Sequence, residues 1–177
     1  MNKRVQASGL RLRPLRIEDE PAFTAGHDAM EAMDGFTFGL GFDSAGSFAE
    51  YVALLDAHRR GERLPEGWVP STFLVADVAG VIVGRTSIRH ELNELLAHEN
   101  GHIGYGVLPE HRRRGHAAEI LGQSLVVARA VGVDRVLVTC DDDNVGSATV
   151  IERAGGVYES TVLAWEDNCP IRRYWID

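Results

Sequence analysis

Arg112-Arg113-Arg114-Gly115-His116-Ala117 separates two runs of different period. Residues 102–108 before it (His-Ile-Gly-Tyr-Gly-Val-Leu) are mostly apolar and strand-like, and residues 117–131 after it space their apolar side chains as a helix does. A strand, a basic turn with glycine and a helix together build an anion site from main chain. The first amides of a helix have no internal partner, and the helix dipole places positive charge there. Gly115 has no Cβ, so a ligand can approach the backbone closely. The three arginines add charge that matches phosphate oxygens. The stretch predicts a phosphate-bearing ligand gripped at a helix start.

The flanking sequence divides into elements. Leu10, Leu12 and Pro14 alternate with Arg11 and Arg13 as a first strand. Glu18-Asp19-Glu20-Pro21 starts a helix with proline in its first turn. Ser47 caps a second helix carrying Phe48, Tyr51, Val52, Leu55 and His58. Residues 72–78 and 81–88 flank Ala79-Gly80 as a hairpin. A polar connection over 91–101, with a short helical turn, leads to the strand at 102–108. Gly132 ends the helix after the turn. A buried strand at 135–140, a helix at 144–154 and closing strands at 157–163 and 172–176 complete the chain. The order predicts a mixed sheet with helices on both faces, and a parallel strand–helix–strand crossover from His102 to Cys140.

Composition sets bounds. The 177 residues carry a formal charge of −8, and 45% are hydrophobic. That suffices for one domain with a core, and the acidity argues against a nucleic-acid surface. It mildly favours cationic substrates or partners. No run approaches the ~18 apolar residues of a membrane helix, so no membrane is expected. Cys140 and Cys169 do not make a disulfide framework, and residues 1–13 lack the apolar stretch of a secretory signal. A reducing cytoplasm is the expected setting.

The turn fits the Arg/Gln-x-x-Gly-x-Gly/Ala motif of the GNAT superfamily of N-acetyltransferases. Val107-Leu108-Pro109 resembles the end of that family's fourth strand, and Asn144, Ser147-Ala148 and Glu152-Arg153-Ala154-Gly155 resemble its second cofactor helix. The resemblance covers nearly the whole chain and looks like a bacterial branch. It implies a mostly antiparallel central sheet of about seven strands with helices on both faces, one domain over residues 1–177. It implies acetyl-coenzyme A as cosubstrate, no metal, and direct acetyl transfer to a primary amine on a small molecule or peptide. A homodimer is left open. By position, the amides of Arg113, Arg114, Gly115, His116 and Ala117 hold the pyrophosphate, and Arg112 counts among the cofactor-binding residues. The strand end at Val107 pairs with the pantetheine arm, and a main-chain donor there polarises the thioester carbonyl, an oxyanion arrangement typically worth ~3 kcal/mol. Asn144, with Ser147 nearby, bonds the cofactor from the other helix.

An alkylammonium must lose a proton before it attacks, since its unperturbed pKa is about 10.4. Glu91, Glu94, Glu99 and His102 lie near the fourth strand. His102 ranks first as base because its ordinary pKa of about 6.5 suits the task, and Glu91 ranks second. Many relatives carry a tyrosine as general acid where this chain has Ile151, leaving Ser147, Tyr105, Cys140 or water. That substitution also supports an alternative, a non-catalytic acyl-coenzyme A-binding sensor. Other motifs fail on context. His98-Glu99-Asn100-Gly101-His102 matches a zinc-protease string, but Asn100-Gly101 breaks the helix that chemistry needs. In Asp141-Asp142-Asp143-Asn144-Val145-Gly146 the valine occupies a calcium-ligand position. Gly104-Tyr105-Gly106 lacks the third glycine of a dinucleotide fingerprint and reads as a bulge or a close approach.

Overall fold

A computed structural model describes residues 9–177; residues 1–8 of the N-terminal stretch lie outside the described residues. The elements are β1 (Leu10–Arg13), α1 (Glu20–Asp34), α2 (Phe48–Arg59), β2 (Ser71–Val78), β3 (Val81–Arg89), β4 (Ile103–Val107), α3 (His116–Ala130), β5 (Val136–Asp141), α4 (Val145–Arg153), β6 (Val157–Leu163) and β7 (Pro170–Ile176). One seven-stranded sheet has the order β1-β2-β3-β4-β5-β7-β6. Only β4 and β5 pair in parallel; the other neighbours are antiparallel.

Local chemistry places most boundaries. Ser47 accepts from the Glu50 amide and starts α2. Ala79 and Gly80 both have positive φ, which a two-residue hairpin turn of type I′ requires. After α3, the Val133 amide turns back to the Ala128 carbonyl at 2.9 Å. The insertion of β7 between β5 and β6 is not a local matter. It follows from six residue pairs, Val136↔Ile176 through Asp141↔Ile171, and the sequence reading gave only two closing strands.

Alternation along β2 builds two cores. Phe73 and Val75 face α1 and α2, where Phe23 lies wholly buried against Phe38, Phe42, Phe48, Tyr51 and Phe73 at centroid distances of 5.3–6.1 Å. Leu74 faces the opposite core with Ile88, Ile103, Val136 and Val138, under Leu121, Leu125 and Ile151 of α3 and α4. Burial on both faces explains the unbroken apolar run at residues 73–76 of β2.

The sheet opens between β4 and β5. Five pairs join β3 to β4, but among the described residues β4 and β5 share only Ile103↔Val138. Beyond that pair the two strands diverge.

Candidate active site

The divergence leaves an edge of β4 without a strand. The Leu108 amide donates to the Val83 carbonyl, and the Arg89 amide to the His102 carbonyl. Hydrogen-bonded pairs alternate along an antiparallel ladder, so Gly104 and Gly106 direct their main chain to β3, and Tyr105 and Val107 direct theirs toward the gap. The gap is a cleft of about 390 Å³, within the range of small-ligand sites. Its walls come from both faces of the sheet. Tyr105, Cys140, Asn144 and Ser147 line one side, and Phe36, Arg85, Arg89, Glu99 and Asp141 line the other.

At its far end β4 passes through a short 3-10 turn, Pro109–His111, into the basic turn. Gly115 is the N-cap of the 15-residue α3, with φ 87° and no side-chain cap. Arg113 is also left-handed, with φ 63°. Among the described residues the amides of Arg113, Arg114, Gly115, His116 and Ala117 have no hydrogen-bond partner. Successive amides curled by left-handed residues form an anion-binding concavity. Here five of them stand at a helix start, in line with the open edge of β4. That arrangement fits a pyrophosphate with an extended arm running back into the cleft.

The profile of the acetyltransferase (GNAT) domain matches residues 9–157. The chain belongs to the GNAT acetyltransferase family. As a member it is an acyl-coenzyme A N-acetyltransferase that moves an acetyl group from acetyl-coenzyme A to an amine. Solved structures agree in fold. RimJ of Mycobacterium smegmatis, in complex with a coenzyme A disulfide, is 22% identical, covering 96% of this chain and 82% of that one, with a TM-score of 0.73. RimL, a ribosomal L7/L12 α-N-protein acetyltransferase with coenzyme A disulfide-bonded to a cysteine, is 18% identical over 96% and 94%, with a TM-score of 0.68. The acetyltransferase yncA of Salmonella typhimurium, with its cofactor acetyl-CoA, is 15% identical over 96% and 94%, with a TM-score of 0.65. No curated protein matches the sequence.

Within this GNAT fold several expected residues take other positions. His102 is not on the cleft wall. It is buried, its Nδ1 accepts the Leu137 amide at 2.9 Å, and its own amide donates to the Leu137 carbonyl. Burial, then the Arg89 charge, holds its pKa below the usual histidine value. His102 thus closes the narrow end of the β4–β5 junction and is displaced as first choice for base. Glu91 is exposed in the connection after β3 and does not line the cleft. The carboxylates that reach the wall are Glu99, whose Oε2 accepts the Trp165 amide at 2.8 Å, and Asp141. Burial, reinforced by Asp143 and Asp167, raises the Asp141 pKa.

Arg112 also differs from expectation. Its Nε donates to the Val107 carbonyl at 3.0 Å and its Nη2 approaches Met30 Sδ at 3.3 Å. It braces the strand end against the turn. Arg113 and Arg114 are exposed, and Arg114 donates to the Glu110 carbonyl. The His116 side chain is buried, so that residue offers only its amide to the turn. His98, from the zinc-like string, stacks on Trp165 at 4.6 Å, with Nε2 against the Leu163 carbonyl; it shares no partner with His102.

The three candidates for proton donor do converge. The Tyr105 hydroxyl is 3.0 Å from Ser147 Oγ, and Cys140 lies on the same wall. Burial pushes the Tyr105 pKa up to about 12 and the Cys140 pKa up to about 11. Both stay protonated near neutrality. Ile151 is fully buried in the core, which accounts for its apolar character. Asn144 accepts the Ser147 amide at 3.0 Å and caps α4; the residue also lines the cleft.

Sequence reasoning missed Arg85 and Arg89. A signal was available: two arginines four apart fall on the same face of a strand that begins Val-Ile-Val.

Proposed function

We propose that the pyrophosphate of acetyl-coenzyme A rests on the amides of residues 113–117, that its pantetheine arm pairs with the open edge of β4 at Tyr105 and Val107, and that the amine enters from the α1–α2 face. The observation carrying this reading is the alignment of five unpartnered amides with the strand edge that β5 abandons. The bound cosubstrate supplies an activated acyl group on sulfur. The protein positions it, aims an amide at the developing oxyanion and handles two protons.

Asp141 accepts the proton of the incoming ammonium. Among the described residues no hydrogen bond ties its carboxylate, whereas one oxygen of Glu99 is held by Trp165. Tyr105 and Ser147 form a hydroxyl pair that delivers a proton toward the sulfur side. A base works deprotonated, so kcat/KM falls as pH drops through the raised Asp141 pKa. Asp141→Asn is expected to lower kcat/KM by about 10²–10⁴ and to remove that acid limb, measured by thiol release from acetyl-coenzyme A over a broad amine panel. A limb that persists in Asp141→Asn and vanishes in Glu99→Gln moves the role to Glu99. Tight cofactor binding with no turnover of any amine favours the non-catalytic sensor.

Asn144 serves twice in this reading, as cap and as cofactor contact. Asn144→Ala should cost about 1 kcal/mol of stability and about 1 kcal/mol of acetyl-coenzyme A affinity. Asn144→Asp keeps the cap and loses the amide donor, so melting should be restored while calorimetric affinity stays weak. An unaltered dissociation constant in both rejects the contact.

A further inference from the structure

The α1–α2 side of the cleft holds two guanidinium groups without a counter-ion. Arg85 is 3% exposed, on the face of β3 that packs under Phe36 and Phe73. Its Nη1 donates to the Gly104 carbonyl at 3.0 Å and its Nη2 to the Thr37 carbonyl, while its buried Nε has no partner. Arg89 donates through Nη1 to the Asn100 and Gly101 carbonyls at 3.3 and 3.2 Å. Among the described residues neither arginine forms an ion pair with a carboxylate. Two like charges in a partly buried cleft repel each other on top of the cost of desolvation, and a buried cation is ordinarily paired. Burial, then Arg89, accordingly pushes Arg85 below its usual range.

Both groups converge on one spot. A Cβ placed on Gly104 would lie 3.7 and 4.0 Å from Arg89 Nη1 and Nη2, and 3.8 Å from Arg85 Nη1. Gly104 has no side chain to fill that space, and it stands on β4 beside Tyr105, at the cleft wall. A role for Arg85 as a tether of the Phe36–Thr37 segment explains its two carbonyl bonds. It does not explain why Arg89, on the same face of β3, brings Nη1 and Nη2 to the same point. Forked guanidinium donors meeting at an open point suit a planar or tetrahedral oxyanion. Glu99 and Asp141 stand on the same cleft wall and supply the opposite sign.

We infer that the amine acceptor carries its own oxyanion, a carboxylate or a phosphate, held over Gly104 by Arg85 and Arg89 while its amino group faces the acidic side of the cleft. This rests on the proposed transfer site and narrows its substrate class. It departs from the expectation of a cationic acceptor drawn from net charge, because two cations without a carboxylate partner stand in the cleft beside its two acids.

Matched amines at saturating acetyl-coenzyme A test it: common L-amino acids and β-alanine against their carboxamides, and phosphoethanolamine against ethanolamine, with spermidine as a cationic comparison. An anionic member should exceed its neutral partner at least tenfold in kcat/KM. Carboxylate and phosphate pairs separate the two anions. Arg89→Gln should collapse that ratio toward one without changing coenzyme A affinity, and Arg89→Lys should restore part of it. Neutral or cationic amines used as well or better, or a ratio that survives Arg89→Gln, overturns the inference. Absence of turnover throughout would remove the transfer reaction, and calorimetric titration of coenzyme A-saturated protein with the same anions then decides. Binding that Arg89→Gln abolishes sustains the subsite, and no binding overturns it.

Discussion

Gly115→Glu is expected to abolish acetyl-coenzyme A binding, with a loss of at least about 100-fold, or about 2.7 kcal/mol. Three effects act in the same direction. Gly115 has φ 87°, and a residue with Cβ pays about 1–2 kcal/mol in that conformation. The introduced carboxylate is drawn to the helix N-terminus, where it satisfies the amides that would otherwise hold phosphate. It also repels the pyrophosphate directly. Nothing lies within 4 Å of a Cβ added at this position, so the folded chain has room for the side chain, and loss of binding need not mean loss of fold. Gly115→Ala separates the effects, since it carries the backbone strain alone and should weaken binding less than tenfold. Titration calorimetry reads both variants, with circular dichroism as the check on folding. An unchanged dissociation constant in Gly115→Glu would falsify the cradle.

The turn was legible because its chemistry is local. Glycine, the preceding strand and the following helix are sequence neighbours, and Gly115 as N-cap and the unpartnered amides of residues 113–117 follow from that order. Ser47 as a cap and Ala79-Gly80 as a hairpin turn were legible for the same reason. The cleft was not. It exists because β4 and β5 meet at a single pair, and which side chains line it depends on pairings between distant segments. His102 shows the consequence. Its residue type suits a base, yet its Nδ1 is occupied by the amide of Leu137, 35 positions away. Arg112 shows another. A basic residue in such a turn reads as a phosphate ligand, and the bond from its Nε to the Val107 carbonyl could not be foreseen from the sequence. The carboxylates on the cleft were hidden for a topological reason: Glu99 and Asp141 lie far apart in the chain and line one cleft only across the divergence.

Asp77→Ala should lower the unfolding free energy by about 3–5 kcal/mol, which makes the edge of the sheet as consequential for stability as the turn is for binding. Asp77 is 1% exposed and lies at the bulge between Ala76 and Asp77, where β2 and β3 shift register. One carboxylate oxygen accepts Arg13 Nε at 3.0 Å and the other accepts the Gly80 amide at 3.0 Å, so a single group ties edge strand β1 and the hairpin turn to β2. Arg13 is itself buried and also bound to Asp19 at 2.6 and 2.8 Å. Removing Asp77 leaves Arg13 with one carboxylate instead of two and strands the Gly80 amide. For a chain of this size the melting temperature should fall by roughly 10 °C. Burial alone would raise the Asp77 pKa, but the Gly80 amide and Arg13 more than offset it and hold the group below the ordinary carboxylate value. A depressed folded-state pKa contributes stability above the unfolded value, near 3.9, and loses it as pH falls through the folded value. The gap between the natural chain and Asp77→Asn, which keeps shape but not charge, should therefore be full at pH 6 and close as pH drops below about 4. Urea midpoints measured across that range check it. A gap that stays constant with pH would mean that packing at the bulge, and not the ion pair, holds β1 in place.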